Sequence, residues 1–264
     1  PCTILLNTDL AGGVPPVLRG LNEQYLLPPL HAGWTVRRRS RHFEAYEELA
    51  KRFAKLLGMD PWLIHPSTSL VTGLDMSAAQ GLEQLQAEAD AQLTKVRRKY
   101  KDYGIQDKPF VVLKSDVGTN VGVMTVRDPK EIAGLNERCR GCLSSGQQGE
   151  VFRDFLVQEG VPTFERVHDA VAEPVVYTMD RYVVGGYYRV HAQRGVDESL
   201  NVPGSSFVPL AFTEAQQLPK LGERPGASVP NRFYMYGVVA RLALLAAAYE
   251  LEATDPLAET LETA

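Results

Sequence analysis

Pro109-Phe-Val-Val-Leu-Lys-Ser-Asp-Val-Gly-Thr-Asn-Val-Gly-Val-Met124 sets an apolar run against a glycine-bearing loop, and a second apolar run, Val121 to Val126, follows at once. Phe110 to Leu113 has the unbroken apolar character of a buried strand. It delivers Lys114 into a loop that holds Gly118, Thr119 and Gly122. A strand, a lysine, a flexible loop and a returning strand can fold backbone N–H groups and one ammonium over a polyphosphate. The Walker pattern is absent, because no Gly-Lys-Ser/Thr opens a helix here, and so is the dinucleotide Gly-x-Gly-x-x-Gly. The same hairpin serves equally as a structural turn, since glycine at a tight turn needs no ligand.

Around this hairpin the hydrophobic periods predict three long helices. His42 to Leu57 puts Phe43, Tyr46, Leu49, Ala50, Phe53 and Leu57 on one side. Ser77 to Tyr103 brings Leu82, Leu85, Ala89 and Leu93 into register, with Lys95, Arg97, Arg98 and Lys99 toward the end where cations suit the helix dipole. Arg232 to Glu252 is the third; its apolar part, Phe233 to Tyr249, reads as a core helix too short to span a bilayer. Strands are expected at Ile4–Leu6, Val151–Val157 (running into Gln158-Glu159-Gly160), Thr163–Arg166, Ala170–Met179 and Tyr182–His191. Gly185-Gly186 reads as a bulge or a close backbone approach. Asp60 to Ile64 reads as a turn entering a short strand, and Asp128 to Ile132 as a short helix. Gly141–Gly149 and Gly195–Pro209 read as polar loops, and Glu214–Pro230 as a disordered excursion. Helices do not alternate with the strands, so the expected class is α+β, a mostly antiparallel sheet flanked by helices.

With 264 residues, 44% hydrophobic and 23% charged, the chain can form one large domain or two small ones. A net charge of -4 lacks the basic surplus of a nucleic-acid binder. The chain opens on Pro in what reads as mid-strand, with no secretory leader pattern, so a fragment is expected and no membrane partner. Cys2, Cys139 and Cys142 are an odd and sparse set, pointing to a reducing, cytoplasmic setting. Cys139 and Cys142 form a CxxC without a second pair, which reads as two free thiols.

Four polar groups stand out. Gln158-Glu159 ends an apolar strand, where an exposed carboxylate can meet a purine edge; a plain polar strand end is the simpler reading. Arg189 and His191 share one strand face, and Arg181 joins them if its strand folds back beside theirs. Arginine in a sheet must meet an anion or a carboxylate, so phosphate and a salt bridge to Glu173 or Asp180 compete for Arg189. Asp197-Glu198-Ser-Leu-Asn201 gathers hard oxygen donors of the kind Mg²⁺ takes, as well as being an ordinary solvated acidic loop. His31 through Arg37, Arg39 and His42 form a cationic run that can grip a small carboxylate in bidentate fashion, or simply face solvent.

Together these residues resemble one family. Asn7-Thr-Asp-Leu, His31-Ala-Gly-Trp, Asp60-Pro-Trp-Leu-Ile, Lys99-Tyr-Lys-Asp-Tyr-Gly-Ile, Val157-Gln-Glu-Gly-Val, Ala172-Glu-Pro-Val-Val-Tyr, Asp180-Arg-Tyr-Val-Val-Gly-Gly, Arg189-Val-His, Gly195-Val-Asp-Glu and Pro230-Asn-Arg-Phe-Tyr are similar to the proteobacterial glutamate–cysteine ligases with an ATP-grasp-like domain. The resemblance runs from about Ile4 to about Glu252 and covers the C-terminal part of that family. It implies ATP-dependent joining of the glutamate γ-carboxylate to the cysteine amine through an acyl phosphate, the first step of glutathione synthesis. It implies a helical, substrate-side region over 1–108, an ATP-grasp-like region over 109–252 and a tail over 253–264. Lys114, Gly118, Thr119, Gly122, Gln158 and Glu159 would hold ATP, and Arg189 and Arg181 would act on the transferring phosphoryl. Glu198 and Asn201 would contact Mg²⁺, and His31, Arg37 and Arg39 the substrates glutamate and cysteine. Lys114 and Arg189 would then converge on one triphosphate. Assembly into a homo-oligomer is left open. The glycine loop is shorter than the family's, with only Asn120-Val121 between Thr119 and Gly122, so another ATP-grasp carboxylate–amine ligase and a truncated, inactive nucleotide-binding remnant remain alternatives.

Overall fold

The computed structural model describes residues 2–6, 8, 10, 13–21, 23–33, 36–117, 123–145, 151–210 and 232–256. The chain divides into two compact units, one of residues 1–45, 66–160 and 249–264 and the other of residues 46–65 and 161–248.

In the first unit β1 (Thr3–Leu5) and β2 (Tyr25–Leu27) pair in parallel. α1 (Arg39–Leu57) starts here and continues in the second unit. Then come β3 (Thr68–Val71), α2 (Ala79–Asp102), β4 (Val111–Ser115), β5 (Val123–Val126), α3 (Lys130–Ala133), α4 (Glu137–Ser144) and β6 (Phe155–Glu159). The sheet order is β3-β6-β4-β5, every pair antiparallel. Side chains alternate across a strand, so Val111 and Leu113 of β4 share a face with Phe155 and Val157 of β6, which lie opposite Ser115 and Leu113. That face meets Leu82, Leu85, Ala89 and Leu93 of α2 in one core with Val126 and Ile132. Each such fully buried aliphatic side chain contributes about 1.5–3 kcal/mol.

Directly after β6, Gly160 donates its N–H to Phe110 O at 2.8 Å, and a Cβ there would lie 2.1 Å from the Phe110 ring. Gly160→Ala is therefore expected to destabilise the protein by about 1–3 kcal/mol through overpacking, read as a lowered urea midpoint at unchanged slope.

Several expectations shift. The strand expected over Val151–Val157 is β6 instead, and Val151 makes only an isolated bridge to Ser145. The CxxC lies in α4, not in a loop, because the Asn136 side chain accepts from Cys139 N–H and caps a helix there. The boundary expected between 108 and 109 is not where the units part. β3 and α2 precede it in the chain, yet share a sheet and a core with β4 and β6.

The second unit holds β7 (Arg166–Val167), β8 (Ala170–Met179), β9 (Tyr182–His191) and β10 (Ser206–Pro209), an antiparallel sheet in the order β10-β9-β8-β7. The register slips between Tyr177 and Thr178, where Tyr177 faces Gly185 but Thr178 faces Val183, leaving Val184 as the extra residue of a bulge. The glycine pair thus marks a bulge, as its composition predicts. β10 falls inside the stretch expected to be a loop. The turn over Asp60 to Ile64 is a short 3₁₀ turn, Pro61–Leu63, whose Asp60 side chain accepts from Trp62 N–H.

α5 (Arg232–Ala253) packs on one face of this sheet. Tyr236 Oη donates to the buried Glu165 carboxylate, Tyr188 Oη donates to the same carboxylate at 3.4 Å, and Arg241 Nε donates to Arg181 O at 3.0 Å. The apolar part of α5 runs beyond Tyr249, the end expected for it. Its segment Phe233–Ala253 is long and apolar enough to cross a membrane by length and composition, and Met235, Val239 and Leu245 are exposed on it. The stretch expected to be disordered, Glu214–Pro230, lies outside the described residues.

Candidate functional site

On the first unit's sheet the face away from α2 carries Lys114. Its neighbours Leu113 and Ser115 point into the core, so parity alone turns Lys114 outward. β6 runs beside β4, with Lys114 opposite Leu156 and Val112 opposite Gln158. Lys114 Nζ donates to Gln158 Oε1 at 2.9 Å, so two residues singled out 44 positions apart meet. Gly118, Thr119 and Gly122 lie outside the described residues.

Glu159 does not present an exposed carboxylate. It shares the inward parity of Val157, is 3% exposed, and its Oε2 accepts from Ser67 N–H at 2.9 Å. Its own N–H donates to Ser67 O at 2.7 Å. Both groups are spent on starting β3, which leaves Gln158 as the polar side chain of this pair on the Lys114 face.

In this structure His31, Arg37 and Arg39 of the cationic run all meet groups of the chain itself. Arg37 Nε donates to Glu250 Oε1 at 2.8 Å and its Nη2 to Oε2 at 2.5 Å, a bidentate pair with a carboxylate of α5. His42 Nδ1 lies 3.3 Å from the same carboxylate. Burial pushes the Glu250 carboxyl up, but the Arg37 and His42 hydrogen bonds and charges outweigh it and hold the group down at about 2. His31 Nε2 lies 3.2 Å from Leu251 O. Arg39 Nη1 donates to Ser115 O and Val117 O, at 2.5 and 3.2 Å, and burial lowers its pKa. The geometry expected for a bound substrate is real, but its carboxylate comes from the chain itself.

The same segment fixes the entry to the glycine loop. Asp116 is wholly buried and accepts from Ser40 N–H at 2.7 Å and Ser40 Oγ at 2.9 Å, capping α1 from 76 residues away. Arg38 Nη1 reaches Asp116 at 3.4 Å and Asp154 at 2.9 Å. A buried carboxylate at a helix start is stabilised by the N–H groups and the dipole there.

On the second unit's sheet, Arg189 stands opposite Glu173 and donates to it from Nη1 at 2.6 Å. The competing salt-bridge reading is thus realised, yet Arg189 Nε is buried with no partner among the described residues. His191 is also held: its Nδ1 accepts from Gln193 N–H at 3.2 Å, so Nε2–H faces Pro203 O at 3.4 Å. Arg181 sits in the turn joining β8 and β9, exposed, with its guanidinium carbon 5.4 Å from the Tyr182 ring centroid. From Tyr182 to Arg189 is seven residues, roughly 23 Å of strand, so Arg181 and Arg189 lie at opposite ends of the hairpin.

The loop assigned to Mg²⁺ does not fit a cation as it is built. Glu198 Oε1 accepts from Arg194 at 3.1 Å and Oε2 from Gly195 N–H at 2.7 Å, and the amide bond heads the causes that lower its pKa. A metal there would have to displace a guanidinium. Asn201 is exposed, its N–H on Ser199 Oγ at 3.3 Å. Among the described residues no group of three or more His, Cys, Asp or Glu side chains is arranged for a metal. A groove of about 470 Å³ lined by Glu83, Asp90, Asp128 and Lys130 is mostly acidic, the wrong sign for a triphosphate.

What the two units define is a class: an α+β protein with an antiparallel sheet in each, one sheet carrying Lys114 and Gln158 and the other Arg189. The chain belongs to the glutamate–cysteine ligase family, whose model matches residues 1–251. A crystal structure from Methylobacillus flagellatus KT, of a protein provisionally named gamma-glutamylcysteine synthetase, is 52% identical, with a TM-score of 0.84 over 96% of this chain. The chain spans 60% of that protein's length. Among curated proteins, none matches it.

Proposed function

We propose that the chain carries the ATP-handling part of an enzyme that joins the γ-carboxylate of L-glutamate to the amine of L-cysteine, the first step toward glutathione. Membership of the glutamate–cysteine ligase family supports the reaction. The observation that carries the assignment to this chain is Arg189, held by Glu173 through one nitrogen and left with an unpartnered buried Nε–H. An unsatisfied buried donor costs about 1–3 kcal/mol, and a guanidinium already oriented by a carboxylate needs no reorganisation to take an anion. Lys114, held by Gln158 on the first unit's sheet, is a separate candidate for an anion there.

In the reaction the glutamate carboxylate oxygen attacks the γ-phosphorus, ADP leaves, and an acyl phosphate remains. The cysteine nitrogen then attacks the acyl carbon; the C–N bond forms, the C–O bond to phosphate breaks, and the amine loses a proton. Arg189 neutralises the transferring phosphoryl. Cys2, Cys139 and Cys142 are free and exposed, which suits the cytoplasmic setting we assign.

ADP release measured with ATP and Mg²⁺ tests this directly. Release is expected to rise only when glutamate and cysteine are both present. Equal release without the two amino acids, or a rise with a different acid and amine alone, would overturn the proposal.

A further inference from the structure

α4 carries a pair of side chains that no role above uses. Cys139 and Cys142 are both exposed, although an unpaired cysteine is among the residues most often buried. With Asn136 as the N-cap they are the third and sixth residues of the helix, so both lie within its regular turns. Residues three apart on a helix are neighbours, with Cβ atoms about 5–6 Å apart. A disulfide needs about 3.5–4.5 Å between those atoms, so closing one here distorts the helix. A metal–thiolate bond is about 2.3 Å, so one ion between two sulfurs spans about 4.6 Å and reaches both from this spacing.

The helix is held where such a pair needs it. Asn136 Oδ1 accepts from Cys139 N–H at 2.9 Å, and Arg140 Nε donates to Leu135 O at 2.8 Å. Ser144 Oγ donates to Arg140 O at 2.9 Å, Ser144 O accepts from Phe152 N–H at 2.6 Å, and Leu143 is buried in the first unit's core. Two ligands fixed on a packed helix bind an ion without first being ordered.

We infer that Cys139 and Cys142 form a two-thiolate site for a soft monovalent cation of the Cu(I) type. Thiolates select Cu(I), zinc and iron–sulfur clusters. Zinc takes four ligands, at least three of them from the protein, and among the described residues no third His, Cys, Asp or Glu joins this pair. Cu(I) is satisfied by two sulfurs in line, which is what one exposed helix turn presents. On binding, each thiol releases its proton to solvent and the two sulfurs share the ion, with no change of oxidation state. The site is independent of the ATP reading.

Anaerobic titration of Cu(I) against a chromogenic Cu(I) chelator tests the site on the wild type, Cys139→Ser, Cys142→Ser and Cys2→Ser, with thermal midpoints of the metal-free proteins measured alongside. The wild type and Cys2→Ser are expected to take one Cu(I) per chain. Each α4 variant is expected to lose about 10²–10⁴ in affinity, the gain that a second tethered contact gives, with its midpoint unchanged because both side chains are exposed. A wild type that leaves all the Cu(I) with the chelator overturns the site. So does equal affinity in the wild type and the two α4 variants, which is the behaviour of single surface thiols, or a loss as large in Cys2→Ser.

Discussion

Arg37→Ala is expected to lower the thermal midpoint by on the order of 10 °C. Glu250 is 4% exposed, and Arg37 supplies two of its hydrogen bonds. Removing one partner of a buried pair leaves an uncompensated charge and costs about 3–5 kcal/mol. The same pair sets an acid limb. Glu250 titrates at about 2 in the folded chain against an ordinary 4.5, so its contribution is fully present above about pH 4.5 and disappears as pH falls toward 2. That contribution is about 3 kcal/mol. Thermal midpoints followed from pH 6 to pH 2 should fall steeply below pH 4.5 in the wild type and more gently in Arg37→Ala. Parallel curves would show that Glu250 is not held by Arg37.

Arg189→Met is expected to reduce ATP-dependent turnover by roughly 10²–10³, the loss seen when one preorganised donor to a developing charge is removed. Its ion pair with Glu173 leaves the carboxylate 35% exposed, and pairs of that kind contribute little to stability. Turnover should therefore collapse while the thermal midpoint stays within a few degrees. A midpoint that falls as far as the activity would make Arg189 a structural residue.

The element framework was legible in the sequence because the periods were long. Ala170–Met179 and Tyr182–His191 are found with the expected bounds, and the three long helices lie within three residues of theirs. Four-residue strands such as β3 and β10 carry too few alternations to register, and both were missed. Parity explains the fate of Gln158-Glu159: adjacent residues on a strand face opposite ways, so only one could meet a ligand on the Lys114 side. The partners of the cationic run were illegible for a different reason. Arg37 and Arg38 have the chemistry of a carboxylate clamp, but their partners Glu250, Asp116 and Asp154 lie 78 to 213 residues away, and Arg39 donates to the backbone carbonyls of Ser115 and Val117. One sequence does not reveal such pairings.

Calorimetric titration of Mg-ATP into the wild type, Lys114→Met and Arg189→Met is the most direct measure of the central claim, testing Lys114 on the first unit's sheet and Arg189 on the second's each by itself as a phosphate contact. Saturable binding by the wild type, weakened about tenfold or more by each substitution, is the predicted result, given about 1.5–3 kcal/mol for a hydrogen bond to a charged group. Equal affinity in all three proteins would contradict it.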